Sequence, residues 1–134
     1  MTTRARSKVL LLIAGCWLFV AALGGVAYAG FKQEQNVSVT ATTASGSIGT
    51  ARNSADTVQF IKCTIQGFTA SNSVFCSARN SAGTSFSCTA NGNATLANAV
   101  AAIGVGSRLF IVQSGGACTQ IDVTNGSDWK PAVP

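Results

Sequence analysis

Val58-Gln59-Phe60-Ile61-Lys62-Cys63-Thr64-Ile65 is the stretch on which the fold turns. Its β-branched and aromatic side chains suit a pleated, half-buried surface, so it reads as a strand. Alternation puts Ile61, Cys63 and Ile65 on one face. Two further strands are expected downstream, at 74–79 and 84–90. The loop between them, Asn80-Ser81-Ala82-Gly83, ends in a glycine that can take the positive φ of a bulged hairpin.

These turns set a register. With Ser81-Ala82-Gly83 as a three-residue loop, Asn80 opposes Thr84, and Cys76 then opposes Cys88. With Phe68 to Ser71 as the preceding turn, Gly67 opposes Asn72 and Cys63 opposes Cys76. Three cysteines then lie in one row across neighbouring strands. Strands sit ~4.8 Å apart, so Cys63 and Cys88 are ~9.6 Å apart, beyond disulfide reach. Two connectivities survive: Cys63–Cys76 with Cys88–Cys118, or Cys76–Cys88 with Cys63–Cys118.

Farther along the chain the period changes. Leu96, Ala99, Val100 and Ile103 form an i, i+3, i+4, i+7 stripe, so 94–103 reads as a helix. Asn93 is placed to cap its start and Gly104 to close its end. Strands follow at 108–113 and 117–124, joined by a Ser114-Gly115-Gly116 hairpin turn. The expected fold class is α+β. A small antiparallel sheet of about five strands, in the order β-β-β-α-β-β, carries one helix on a face and is stapled by two disulfides.

Upstream of this domain, assigned to 57–126, residues 30–56 are polar and small. They read as an N-terminal arm or tether. Val37, Val39 and Ala41 alternate with polar residues and make a short strand conceivable within it. Downstream, 127–134 is an irregular tail with two prolines, in which Trp129 either contacts a partner or folds back over the domain edge.

The first 29 residues have a different chemistry. Arg4, Arg6 and Lys8 precede an uncharged apolar run from Val9 to Ala29, which ends in the small-x-small triplet Ala27-Tyr28-Ala29. That is the pattern of a secretory signal peptide cleaved before Gly30. Two alternatives stand beside it. The run is long enough for an uncleaved membrane anchor. Ile13-Ala14-Gly15-Cys16 resembles a bacterial lipobox, which would lipidate Cys16, although the residues after it stay apolar. The leader as a whole resembles bacterial ones.

The formal charge of +5 is largely the leader's. Beyond Ala29 six cations stand singly against four carboxylates, without the basic stripe that a phosphate backbone needs. No nucleic-acid partner is expected, and a membrane is engaged only through an uncleaved leader. Four cysteines remain after the leader, Cys63, Cys76, Cys88 and Cys118, which in a short exported chain reads as two disulfides. Zinc does not fit, because the chain lacks histidine and close cysteine pairs.

Histidine's absence also removes the usual base for a serine or cysteine nucleophile. The carboxylates are too scattered to suggest an acid–base pair, and no phosphate-binding or calcium-binding loop is present. No catalytic residue, cofactor or metal is assigned, and the chain reads as non-enzymatic. Phe60, Phe68, Phe75, Phe86 and Phe110, in or beside strands, are expected in the core.

The resulting expectation is a structural or assembly protein, secreted or at the cell surface, the periplasm included. As a fibre subunit it would use its arm for strand addition to a neighbouring copy or another envelope protein. The alternative is a soluble secreted binding module or inhibitor that uses the 68–73 loop or the Ser114-Gly115-Gly116 turn.

Overall fold

A computed structural model describes residues 33–129. The expectations for the leader, with Cys16, Ala27, Ala29 and Gly30, and for residues 130–134 lie outside the described residues.

The β-branched runs form the strands anticipated for them. β3 is Phe60–Gly67, β4 is Asn72–Arg79 and β5 is Ser85–Asn91. Their register is the one the turns impose: Gly67 opposes Asn72, Cys63 opposes Cys76, and Cys76 opposes Cys88. Gly83 has φ 85° and closes the β4–β5 loop, where the Asn80 amide donates to the Thr84 carbonyl at 3.1 Å. β6, Ser107–Ser114, and β7, Ala117–Asn125, are joined by Gly115 and Gly116, both at positive φ. Only glycine adopts that pair of conformations without strain.

β3 starts two residues later than expected because Asp56 intervenes. Its carboxylate accepts the amides of Val58 at 2.9 Å and Gln59 at 2.7 Å, which holds them in a turn.

The helix is Ala94–Ala101, labelled α2 below. Asn93 caps it as anticipated, its side chain accepting the Leu96 amide at 3.0 Å. Gly104 does not close it. The helix ends at Ala102, still right-handed, and the Gly104 amide donates to Ser107 Oγ at 2.7 Å in the next turn. Leu96, Ala97 and Val100 are buried, and α2 packs against β3, β4 and β7.

The protein is mostly sheet with little helix, as the α+β reading required, but the sheet has seven strands rather than about five. The extra elements come from residues assigned to the polar arm. β1 is Ser38–Val39, β2 is Thr43–Ser47 and α1 is Ile48–Arg52. The strand order is β1-β2-β6-β7-β5-β4-β3, so the domain boundary near residue 57 does not hold.

Small side chains make this segment a strand of the core rather than a tether. Ala44 and Ser47 are fully buried, and a Cβ on Gly46 would lie 3.1 Å from both Cα and Cγ2 of Val37. Alanine, serine and glycine let two backbones approach where larger residues would hold them apart. Ser47 then caps α1, its Oγ accepting the Thr50 amide at 3.1 Å.

Neighbours in the sheet are antiparallel except β5 and β7, which run parallel and share one paired position, Thr89 with Ala117. The sheet curls so that β2 approaches β3 and β1 approaches β4, although each pair is far apart in the strand order. One core fills the inside, built on Leu109, Ile111, Val74, Ile61, Phe86 and Ile121 with helix residues from α1 and α2.

Candidate functional site

The four cysteines form two disulfides, Cys63–Cys76 between β3 and β4 and Cys88–Cys118 between β5 and β7. Strand order removes the second connectivity. β7 lies beside β5, and β3 is at the far edge, so Cys63 and Cys118 stand at opposite ends of a row of four. Cys76, Cys88 and Cys118 are buried, whereas Cys63 is half-buried. Bridges of this kind belong to a chain folded under oxidising conditions. Among the described residues no helix is long and apolar enough to cross a membrane.

The arm residues offered for assembly are engaged inside the domain. Val37 is buried, Val39 packs partly buried against the core, and Ala41 sits exposed in the bend before β2. The Val37 amide donates to Gln59 Oε1 at 3.0 Å, and Gln59 Nε2 donates to Asp56 Oδ2 at 2.6 Å. Gln59, itself buried, thus ties the arm to the turn before β3. Those hydrogen bonds hold the Asp56 carboxyl below its usual range, chiefly the one from the Gln59 amide and next that from Val58.

Trp129 folds back over the domain edge. Gln33 pairs with it in a parallel bridge, and the Arg108 guanidinium lies 6.0 Å from its ring. The Arg108 Nε also donates to Gln35 Oε1, so the two ends of the domain meet at one arginine. Asp122 is exposed on β7 and accepts from Gln120 Nε2 at 2.7 Å.

A polar cleft of about 450 Å³ opens beside α1, lined by Glu34, Asn36, Thr50, Asn53, Asp56 and Gln59 among others. Asp56 and Gln59 hold the turn there, and Thr50 Oγ1 accepts from Ser47 Oγ at 2.7 Å. These groups serve the fold, and sequence reasoning did not single them out as a site.

The phenylalanines divide. Phe86 is buried, and Phe60 and Phe110 are half-buried. Phe60 lies under two cations, with Lys62 Nζ 5.6 Å and the Arg79 guanidinium 5.8 Å from its ring. Phe68 and Phe75 depart from the core expectation, at 59% and 41% exposed. Phe68 begins the β3–β4 turn, where its amide donates to the Ser71 carbonyl at 2.8 Å, and Ile65 behind it is 38% exposed.

These residues flank the open edge of the sheet. β3 is last in the strand order, and residues 64–67 are all exposed. Cys63 and Cys76 face each other with Cα atoms 4.1 Å apart, the spacing of a pair that exchanges no backbone hydrogen bonds. By alternation, the amides and carbonyls of Cys63, Ile65 and Gly67 point away from β4, toward the edge.

Comparison with known proteins supplies no relative: no family model, no curated protein and no solved structure matches the chain.

Proposed function

We propose that this is an exported, non-enzymatic assembly protein of the cell exterior, which pairs with a second copy of itself through the β3 edge. One observation carries the reading. β3 ends the sheet with its last four residues exposed, next to exposed Ile65 and Phe68. An edge with outward-pointing backbone groups and adjacent apolar surface is a template for strand addition.

Charge favours a second copy as the occupant. Antiparallel self-pairing is isologous, so each residue meets a residue of the same strand. With the two-fold axis at Thr64, Ile65 or Gln66, Lys62 falls opposite Gln66, Phe68 or Ala70 of the other copy. It never meets another Lys62, so the one cation of the edge is not opposed by its like. Because the arm is engaged within its own sheet, strand addition falls to β3 rather than to Val37, Val39 and Ala41.

Ile65→Pro tests the pairing. The Ile65 amide faces away from β4, so proline there leaves the protein's own ladder intact and blocks an added strand. Sedimentation equilibrium on the native protein should give a concentration-dependent dimer, and the variant should be a monomer with unchanged disulfides and circular dichroism. A wild-type monomer at every concentration refutes the reading, and so does a variant that still dimerises. A monomer would leave the exposed Phe68 turn as the contact of a secreted binding module.

A further inference from the structure

The two disulfides form one connected row. Cys63, Cys76, Cys88 and Cys118 occupy four neighbouring strands, β3, β4, β5 and β7, in that spatial order. The bonds join the first pair and the last pair. Across the middle, Cys76 opposes Cys88, and the Sγ atoms of Cys76, Cys88 and Cys118 all lie within 4.8 Å of one another. A sulfur released at Cys76 is therefore already beside the second disulfide. Three of the four residues are buried, and the half-buried one, Cys63, lies on the open edge strand.

From this arrangement we infer that Cys63 is a modification site for low-molecular-weight monothiols, and that the two bridges answer its modification as a relay. A thiolate RS⁻ attacks Cys63 Sγ, forms an RS–Sγ bond and expels Cys76 as a thiolate. Cys76 Sγ attacks Cys88 Sγ, forms a Cys76–Cys88 disulfide and expels Cys118. The Cys118 thiolate takes up the proton that the incoming thiol gave up. Two disulfides and one thiol enter, and two disulfides and one thiol leave, so no external oxidant or reductant is required.

Geometry decides where the relay stops. Cys76 and Cys88 are directly opposed on adjacent strands, within the span a disulfide accepts. Cys63 and Cys118 are three strand spacings apart, ~14 Å, and cannot bond to each other. The free thiol stays at Cys118, and its attack on the Cys76–Cys88 bond reverses the sequence. Thiol capture at the sheet edge is thereby reported as a buried thiol on β7. The inference rests on the cysteine row and is independent of edge pairing.

The test treats native oxidised protein with reduced glutathione, quenches with acid, alkylates with N-ethylmaleimide and maps the peptides. The expected product carries glutathione on Cys63, a Cys76–Cys88 cross-linked peptide and maleimide on Cys118. Glutathione on Cys63 with maleimide on Cys76 and an intact Cys88–Cys118 bond overturns the relay. Glutathione first appearing on Cys88 or Cys118 overturns the site, and so does a protein that takes up none. Cys63→Ser adds a second reading, since it frees Cys76 without any added thiol. Brief alkylation of that variant should label Cys118 as well as Cys76, whereas label on Cys76 alone refutes exchange.

Discussion

Substitution of Val37 by alanine separates a docked strand from a polar tether. Val37 is 5% exposed, with Cγ2 against the backbone of β2 at Gly46 and its amide on Gln59. Valine to alanine removes two methyl groups, each contributing ~0.8 kcal/mol when buried, or ~1.6 kcal/mol together. A cavity between two backbones that glycine already lets approach closely raises this to about 2–2.5 kcal/mol. At roughly 4–8 °C per kcal/mol for a domain of this size, Tm should fall by roughly 8–20 °C. Urea denaturation of the disulfide-intact protein measures it directly, with a lower midpoint and an unchanged m-value. A tether predicts a change within ~0.5 kcal/mol, the range of exposed positions. A Val37→Ala loss below ~0.5 kcal/mol would therefore refute the docking of the arm. Ala41→Ser, in the exposed bend, is the matched control and should be neutral.

Gly46→Ala should destabilise by about 1 kcal/mol in the same urea assay. Overpacking against Val37, ~1–3 kcal/mol, outweighs the ~0.4–1 kcal/mol that alanine returns by stiffening the unfolded chain. In a Val37→Ala background that cost should shrink, because the Cγ2 contact is gone; an unchanged cost means the two residues do not touch. Asp56 has its folded pKa lowered, so the stability its ionised form supplies is present above the unfolded pKa and is lost as pH falls through the folded one. Amide resonances of Val58 and Gln59 followed by NMR should hold steady through the ordinary carboxylate range and shift only below it; an inflection within or above that range contradicts the turn. Replacing each cysteine pair by alanine should cost about 2.9 kcal/mol for Cys63–Cys76, separated by 13 residues, and about 3.6 kcal/mol for Cys88–Cys118, separated by 30. Denaturant midpoints that reverse this order would count against loop closure as the source of the effect.

What the sequence made legible was whatever local stereochemistry controls. Gly83 and the pair Gly115-Gly116 occupy positions that only positive φ satisfies, so turn length fixed strand register and register fixed the cysteine row. Asn93 capped its helix because its side chain competes for the first free amide. Tertiary facts were illegible. Thr43-Ala44-Ser45-Gly46-Ser47 has the composition of a linker, and only the presence of Val37 across from it makes small size a packing feature. Phe68 and Phe75 looked like core residues because hydrophobicity says what burial would contribute, not which face of a strand has a lid. The open edge has the same origin: which strand comes last depends on where the β6–β7 hairpin inserts, and no residue of β3 encodes that.

That insertion explains why the bridges lie where they do. The β3–β4–β5 meander and the β1–β2–β6–β7 group each have an extensive antiparallel ladder of their own. Between them β5 and β7 run parallel with one paired position, plus the Thr89 amide donating to the Gly116 carbonyl at 3.0 Å. Backbone pairing is thinnest at this joint, and Cys88–Cys118 crosses it one residue from the paired position on each strand. α2 packs against strands from both groups, β3 and β4 on one side and β7 on the other. The joint is therefore held by one covalent bond and one helix face. A relay that moves the disulfide to Cys76–Cys88 takes the bond off the joint and leaves α2 to hold the two groups alone. If so, hydrogen exchange should quicken at Thr89 and Cys118 in the thiol-modified protein, while the β3–β4 ladder keeps its protection; equal protection at the joint before and after modification would show that the covalent bond contributes nothing there.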